Sequence, residues 1–165
     1  MNTGLLLARL VLGSLMAAHG AQKLFGWFGG HGLAAVAGMF DALGFRPARF
    51  FAALASVTEV VSGVLVAAGL FGPVGPALMV AVMIVAAMSV HWPNGLFAMS
   101  NGIEVPLLYA AGAAGLALTG PGRYSLDALL GLAGFWTPEL NMLVLGVALL
   151  SGIANLAMRR QPAHA

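Results

Sequence analysis

Seven polar side chains stand out in an otherwise apolar chain: Arg9, His19, Lys23, Glu59, His91, Asn101 and Glu104. Imidazole, ammonium and carboxylate groups hydrogen-bond carbonyl oxygens, carry protons and, for histidine and glutamate, ligate metals. His19 and Lys23 are four residues apart and share a face if the segment is helical. Glu59 stands alone in a long apolar run. The chemistry these types allow is proton transfer by Glu59 and His19 as the catalytic pair. Arg9, Lys23, His91, Asn101 and Glu104 would then bind the ligand. Blander roles exist for most of them. Lys23 can snorkel to headgroups, and His91 can sit at a helix C-terminus, where the dipole favours it. Asn101 and Glu104 have the spacing of a capping box, with Asn as N-cap and Glu at N3. His19 can be a hydrogen-bonded core residue, and Arg9 an interface anchor or a buried counter-ion.

The elements that must position these residues follow from composition. The chain has 165 residues, of which 61% are hydrophobic and 7% charged. A water-soluble domain carries about 25% charged residues, so the solvent is a bilayer. A nucleic-acid binder would need a basic stripe, and none is present. The absence of cysteine excludes disulfides, iron–sulfur clusters and thiolate metal sites. A membrane helix needs about 20 apolar residues. Five stretches approach this: about 4–24, 51–71, 74–91, 103–119 and 140–158. Two short amphipathic pieces, about 33–45 and 126–135, are expected to lie along the interface. The expected fold is a single all-α membrane domain. It has a four-helix core, a fifth C-terminal transmembrane helix and short interfacial helices.

A charged group at mid-membrane costs about 2.5–3.5 kcal/mol on insertion scales, so it faces a bundle interior and finds a partner. Helical geometry of about 100° per residue places Arg9, His19, Lys23, Gly13 and Gly20 within an arc of roughly 120°. Leu7, Val11, Leu15 and Ala18 point away. Around Glu59 the same face holds Ala52, Ala55, Ser56, Ser62 and Gly63, small residues that let helices approach closely. At about 1.5 Å per residue, His19 lies some 7–8 Å and Glu59 some 12 Å from one end of the bundle. His91, Asn101 and Glu104 lie at that same end, and Arg9 near the other. Lys23, Arg46, Arg49, Arg159 and Arg160 flank the first end, against Arg123 and Arg9 at the second. Lys and Arg accumulate on the cytoplasmic side. The expectation is therefore a cytoplasmic C-terminus and an external N-terminus.

These residues resemble those of the DoxX family of small bacterial membrane proteins. The matching pieces are Arg9-Leu10-Val11-Leu12-Gly13, His19-Gly20-Ala21-Gln22-Lys23-Leu24 and Glu59. They continue with His91, Asn101-Gly102-Ile103-Glu104 and Gly120-Pro121-Gly122-Arg123-Tyr124-Ser125-Leu126-Asp127. The resemblance implies a typically four-helix protein of the bacterial cytoplasmic membrane that works beside an oxidoreductase. In some members that enzyme oxidises thiosulfate with quinone as acceptor. The seven polar positions are shared with the family, without an assigned catalytic role.

The expected function is redox-linked binding of a quinone-like or other small apolar ligand. It would sit in a polar pocket in one half of the bundle, and a partner oxidoreductase would supply the electrons. His19 or Lys23 would hydrogen-bond a carbonyl oxygen, and Glu59 or Glu104 would pass a proton. One alternative is a small-molecule transporter or a non-catalytic accessory subunit, since buried ionisable groups also mark transport paths. Another is a metal or haem protein using His19, Glu59, His91 and Glu104. Partners expected are the lipid bilayer, an oxidoreductase subunit and a second copy packed through small-residue faces.

Overall fold

The computed structural model describes residues 2–160. Within them the chain forms α1 (Asn2–Phe25), α2 (Gly32–Ala42), α3 (Ala48–Ala68) and α4 (Val74–Ala86). It continues with α5 (Glu104–Thr119), the single turn α6 (Leu126–Leu129) and α7 (Pro138–Ala157). No strand occurs among the described residues. The last turns of α4 loosen into a π-helix over Ala87–His91 and then a 3-10 turn over Trp92–Asn94. Four helices are long and apolar enough to cross a membrane: α1, α3, α4 with its extension, and α7. The protein is a multi-pass membrane helical bundle.

The helix ends are set by local chemistry. α3 begins after Pro47 and stops at Ala68 because Gly69 turns left-handed at φ +65°. There the amides of Gly69 and Leu70 return to the carbonyls of Val66 and Leu65, which closes the helix in a Schellman turn. It thus starts and ends a turn earlier than apolarity alone suggests. α7 opens as Thr137-Pro138-Glu139 implies, with the Thr137 hydroxyl accepting from the Leu140 amide at 3.3 Å. The piece expected over 126–135 is α6 and a separate 3-10 turn at Ala133–Phe135. α5 has 16 residues, about 24 Å, because Gly120 and Pro121 end it. It still runs from one end of the bundle to the other. It starts beside the loop after His91, and Pro121 just beyond it accepts a hydrogen bond from Arg9.

Two ends of the bundle are therefore defined. The Lys23 end holds the close of α1, the start of α3, the close of α4, the start of α5 and the close of α7. The Arg123 end holds the opposite termini. α4 runs through the middle, packed on α3, α5 and α7. The core lies around Met16, Val66, Met79, Val80, Met83 and Leu116. A second cluster of Phe40, Phe45 and Phe51 binds α2 to α3 at the Lys23 end. Leu7 and Val11 are exposed on the outer side of α1, the surface left for lipid, whereas Leu15 borders the cavity described below.

Candidate functional site

The site begins with the contact between α1 and α3. In a bilayer there is little hydrophobic force between helices, so close backbone approach carries association. A Cβ on Gly13 would stand 2.5 Å from the Ala67 amide nitrogen, and one on Gly20 would stand 2.7 Å from that of Val60. Gly63 meets the backbone of Ala17 in the same way. Only glycine permits this spacing. It brings Lys23 Nζ to 2.6 Å from Glu59 Oε1. The Glu59 side chain is 0% exposed and that of Lys23 20%. Taking both charges out of water is costly, and their mutual attraction offsets it only at this kind of short range. The second carboxylate oxygen of Glu59 is buried without a hydrogen-bond partner among the described residues. Ser56 and Ser62 beside it donate back to the carbonyls of Ala52 and Glu59 itself.

Lys23 is also in the wall of a partly open cavity of about 600 Å³ between α1, α2, α4, α5 and the loop after α1. Its polar lining is His19, Gln22, Lys23, His91, Asn101 and Tyr109, set among Met16, Met39, Met83, Phe28 and Pro106. An apolar cavity with a few converging polar groups is the usual form of a small-molecule site. The π-helical turn places His91 here; such turns recur at functional sites. His91 Nδ1 donates to the carbonyl of Asn101 at 2.8 Å, which fixes the ring and leaves Nε2 as the second nitrogen. Gln22 Nε2 donates to the Phe28 carbonyl at 3.1 Å and ties the loop over the cavity edge.

The structure gathers four of the seven expected residues around the cavity: His19, Lys23, His91 and Asn101. Glu59 stands behind Lys23. Glu104 opens α5, and its Oε2 accepts from the Ala98 amide of the preceding loop at 2.8 Å. The capping box does not form. Asn101 is left-handed at φ +62°, α5 is preceded by Ile103, and Glu104 is the first helical residue. Arg9 lies at the opposite end, away from the cavity. Buried there, it donates to the carbonyls of Val66, Ala67, Pro121 and Tyr124 and joins α1 to α3 and to the loop after α5. Three or more His, Asp or Glu side chains do not come together as a metal site among the described residues. Of the four donors considered for one, Glu59 is held by Lys23 and Glu104 by a backbone amide.

Several residues of structural weight escaped the sequence reading. Tyr109 and Gln22 reach the cavity, yet a lone Tyr in α5 and a Gln beside Lys23 give no periodic signal. Asp127 reads as a loop acid. It is fully buried and accepts from the amides of Phe71 and Gly72 at 2.8 and 2.6 Å, pinning the α3–α4 turn. The sequence GPGRYSLD keeps Asp127 next to the carbonyls that Arg9 uses, so the two ends of one short segment lock the same corner.

Comparison with curated proteins and with solved structures gives no match. A family model described as DoxX matches residues 4–92, more than half of the chain. The matched segment contains Arg9, the Lys23–Glu59 pair and His91, and on it the chain belongs to the DoxX family.

Proposed function

We propose that the protein binds a quinone-like or other small apolar ligand with a carbonyl oxygen in the cavity at the Lys23 end, and works beside a partner oxidoreductase. The observation that carries this reading is the cavity itself. At about 600 Å³ it falls in the range of small-molecule sites, roughly 300–1,000 Å³, and its few polar groups include an ammonium with a buried carboxylate behind it. Lys23 and His19 would donate to the ligand's oxygen. Glu59 would hold Lys23 in place and keep its charge balanced while the site is empty. A bound quinone would supply the two-electron chemistry, and the partner the electrons, since the chain has neither cysteine nor a recognisable nucleotide motif. By the accumulation of Lys and Arg at the Lys23 end, that end faces the cytoplasm of a bacterial inner membrane.

The test is native mass spectrometry of the detergent-purified protein, followed by titration with a short-chain quinone analogue. A copurified quinone and a saturable affinity that falls at least about tenfold in Lys23→Met are expected. No copurified quinone and no saturable binding would overturn the reading. A different copurified solute, with uptake that depends on Glu59, would favour a carrier instead.

A further inference from the structure

The cavity at the Lys23 end is open on one side, between α1 and α5. α1 lies close on α3 along its length but touches α5 only lightly. Leu12 meets Gly112, where a Cβ would stand 2.7 Å from Leu12 Cδ1. From that contact toward the Lys23 end, the facing sides of the two helices line the cavity instead of packing on each other. Leu15 and Ala18 do so on α1, Val105 and Tyr109 on α5. Within each pair the spacing of three or four residues puts both on one helical face. Leu15 stands next in the row of Leu7 and Val11 and is 54% exposed, and Val105 is 47% exposed. Residues that line a cavity and are also open to the surroundings stand at its opening. Both helices run the length of the bundle, so a gap between them opens sideways on lipid. Polarity falls with depth along it. On α1 the wall changes from Lys23 to Leu15, and on α4 from His91 to Met83, each about 12 Å deeper. Tyr109 is the polar exception at the deeper level.

We propose that the ligand is a tailed amphiphile, with a carbonyl-bearing head in the cavity and a hydrocarbon chain that leaves between α1 and α5 into the bilayer. This rests on the ligand reading given above and specifies its chemical class. With the head at the polar end, the chain descends toward the middle of the membrane, as a lipid lies in its own leaflet. Lipid chains are as apolar as the walls of the gap, so the chain gains little by lying against them. What the gap provides is passage. Without it, head and chain together would have to fit within about 600 Å³. With it, the head enters from the bilayer and the chain stays in lipid.

Ala18→Phe and, from the opposite side, Val105→Phe each narrow the gap without replacing Lys23 or His19. The detergent-purified wild type and both variants are titrated with the tailless dimethoxy-methyl-benzoquinone and with its decyl-tailed derivative. Each quinone is compared with itself across the variants, so its partition into the micelle cancels. Both variants should weaken the decyl quinone at least about tenfold and the tailless one less than about twofold. If the tailless quinone binds the wild type but the variants weaken both equally, or leave the decyl quinone unchanged, the proposal is overturned and the ligand reading stands. If neither quinone binds the wild type, both fall. A measurement without ligand or gap-filling variant covers the case in which neither variant folds. The chain has no cysteine, so a nitroxide on Tyr109→Cys reports from the wall of the gap in phosphatidylcholine vesicles. Its collisions with oxygen, which partitions into lipid, should exceed those with a water-soluble nickel chelate severalfold. The reverse order would show a gap open to water and would overturn the proposal.

Discussion

The Lys23–Glu59 pair is asymmetric, and the asymmetry has consequences for substitution. Glu59 is wholly enclosed, whereas Lys23 also borders the cavity. Removing Lys23 leaves a carboxylate in a low-dielectric interior with no counter-charge. Losing one member of a buried pair costs about 3–5 kcal/mol. Lys23→Met should therefore lower the thermal stability of the detergent-solubilised protein severely. Glu59→Gln should do so less, because Lys23 is 20% exposed and its freed ammonium can turn toward the cavity. The double variant Lys23→Met/Glu59→Leu should recover most of the loss, since no unpaired charge remains. A double variant no more stable than Lys23→Met would refute this account. At this scale the sequence is informative where a residue is out of place: a carboxylate in an apolar run has to find a partner, and Lys23 is within reach. It is uninformative where the residue type is ordinary for its position. Tyr109 enters the cavity only through the way α5 packs. Asp127 becomes structural only because the α3–α4 turn folds back on it.

Glycine spacing on α1 and α3 is what turns two amphipathic helices into a site. Gly13, Gly20 and Gly63 set the interhelical distance, and that distance lets a lysine on one helix reach a carboxylate on the other. Gly20→Val places a branched side chain against the backbone of Val60. Overpacking of this kind costs about 1–3 kcal/mol. Here it should also separate Lys23 from Glu59 and reduce ligand binding at the cavity. Gly4→Val on the same helix meets nothing within 4 Å and should leave both properties unchanged. Thermal unfolding of the two variants compares them directly; equal effects would show that the close approach is not what holds the pair. The helical faces are legible because small and charged residues recur at the helical period. The ends are less so. A Schellman turn at Gly69 and a left-handed Asn101 depend on backbone geometry that apolarity does not encode. The spacing of Asn101 and Glu104 fits a capping box, but Glu104 is the first helical residue and accepts from Ala98 instead.

At the scale of the whole molecule, direction follows from how the helices alternate. α1, α3, α4, α5 and α7 alternate between the two ends, so Asn2 lies at the Arg123 end and Arg160 at the other. α5 is shorter than a typical span, and its length alone would not have established this. The contacts of Arg9 with Pro121 and of the Arg160 amide with the Gly44 carbonyl do. Basic residues then orient the bundle. Arg46 and Arg49 lie at the Lys23 end with Lys23, Arg159 and Arg160, against Arg123 and the buried Arg9. Since Lys and Arg are in excess on cytoplasmic loops, the proposed orientation has the Lys23 end inside. The natural chain has no cysteine, so single introduced thiols can report sidedness without background. Met99 at the Lys23 end is 103% exposed and Leu129 at the Arg123 end 79%; neither supports the core. In intact cells a membrane-impermeant maleimide should label Leu129→Cys and spare Met99→Cys. Permeabilisation should then expose Met99→Cys. The reverse pattern would invert the bundle and place the ligand cavity on the outside, where a partner would have to meet it from the other face of the membrane.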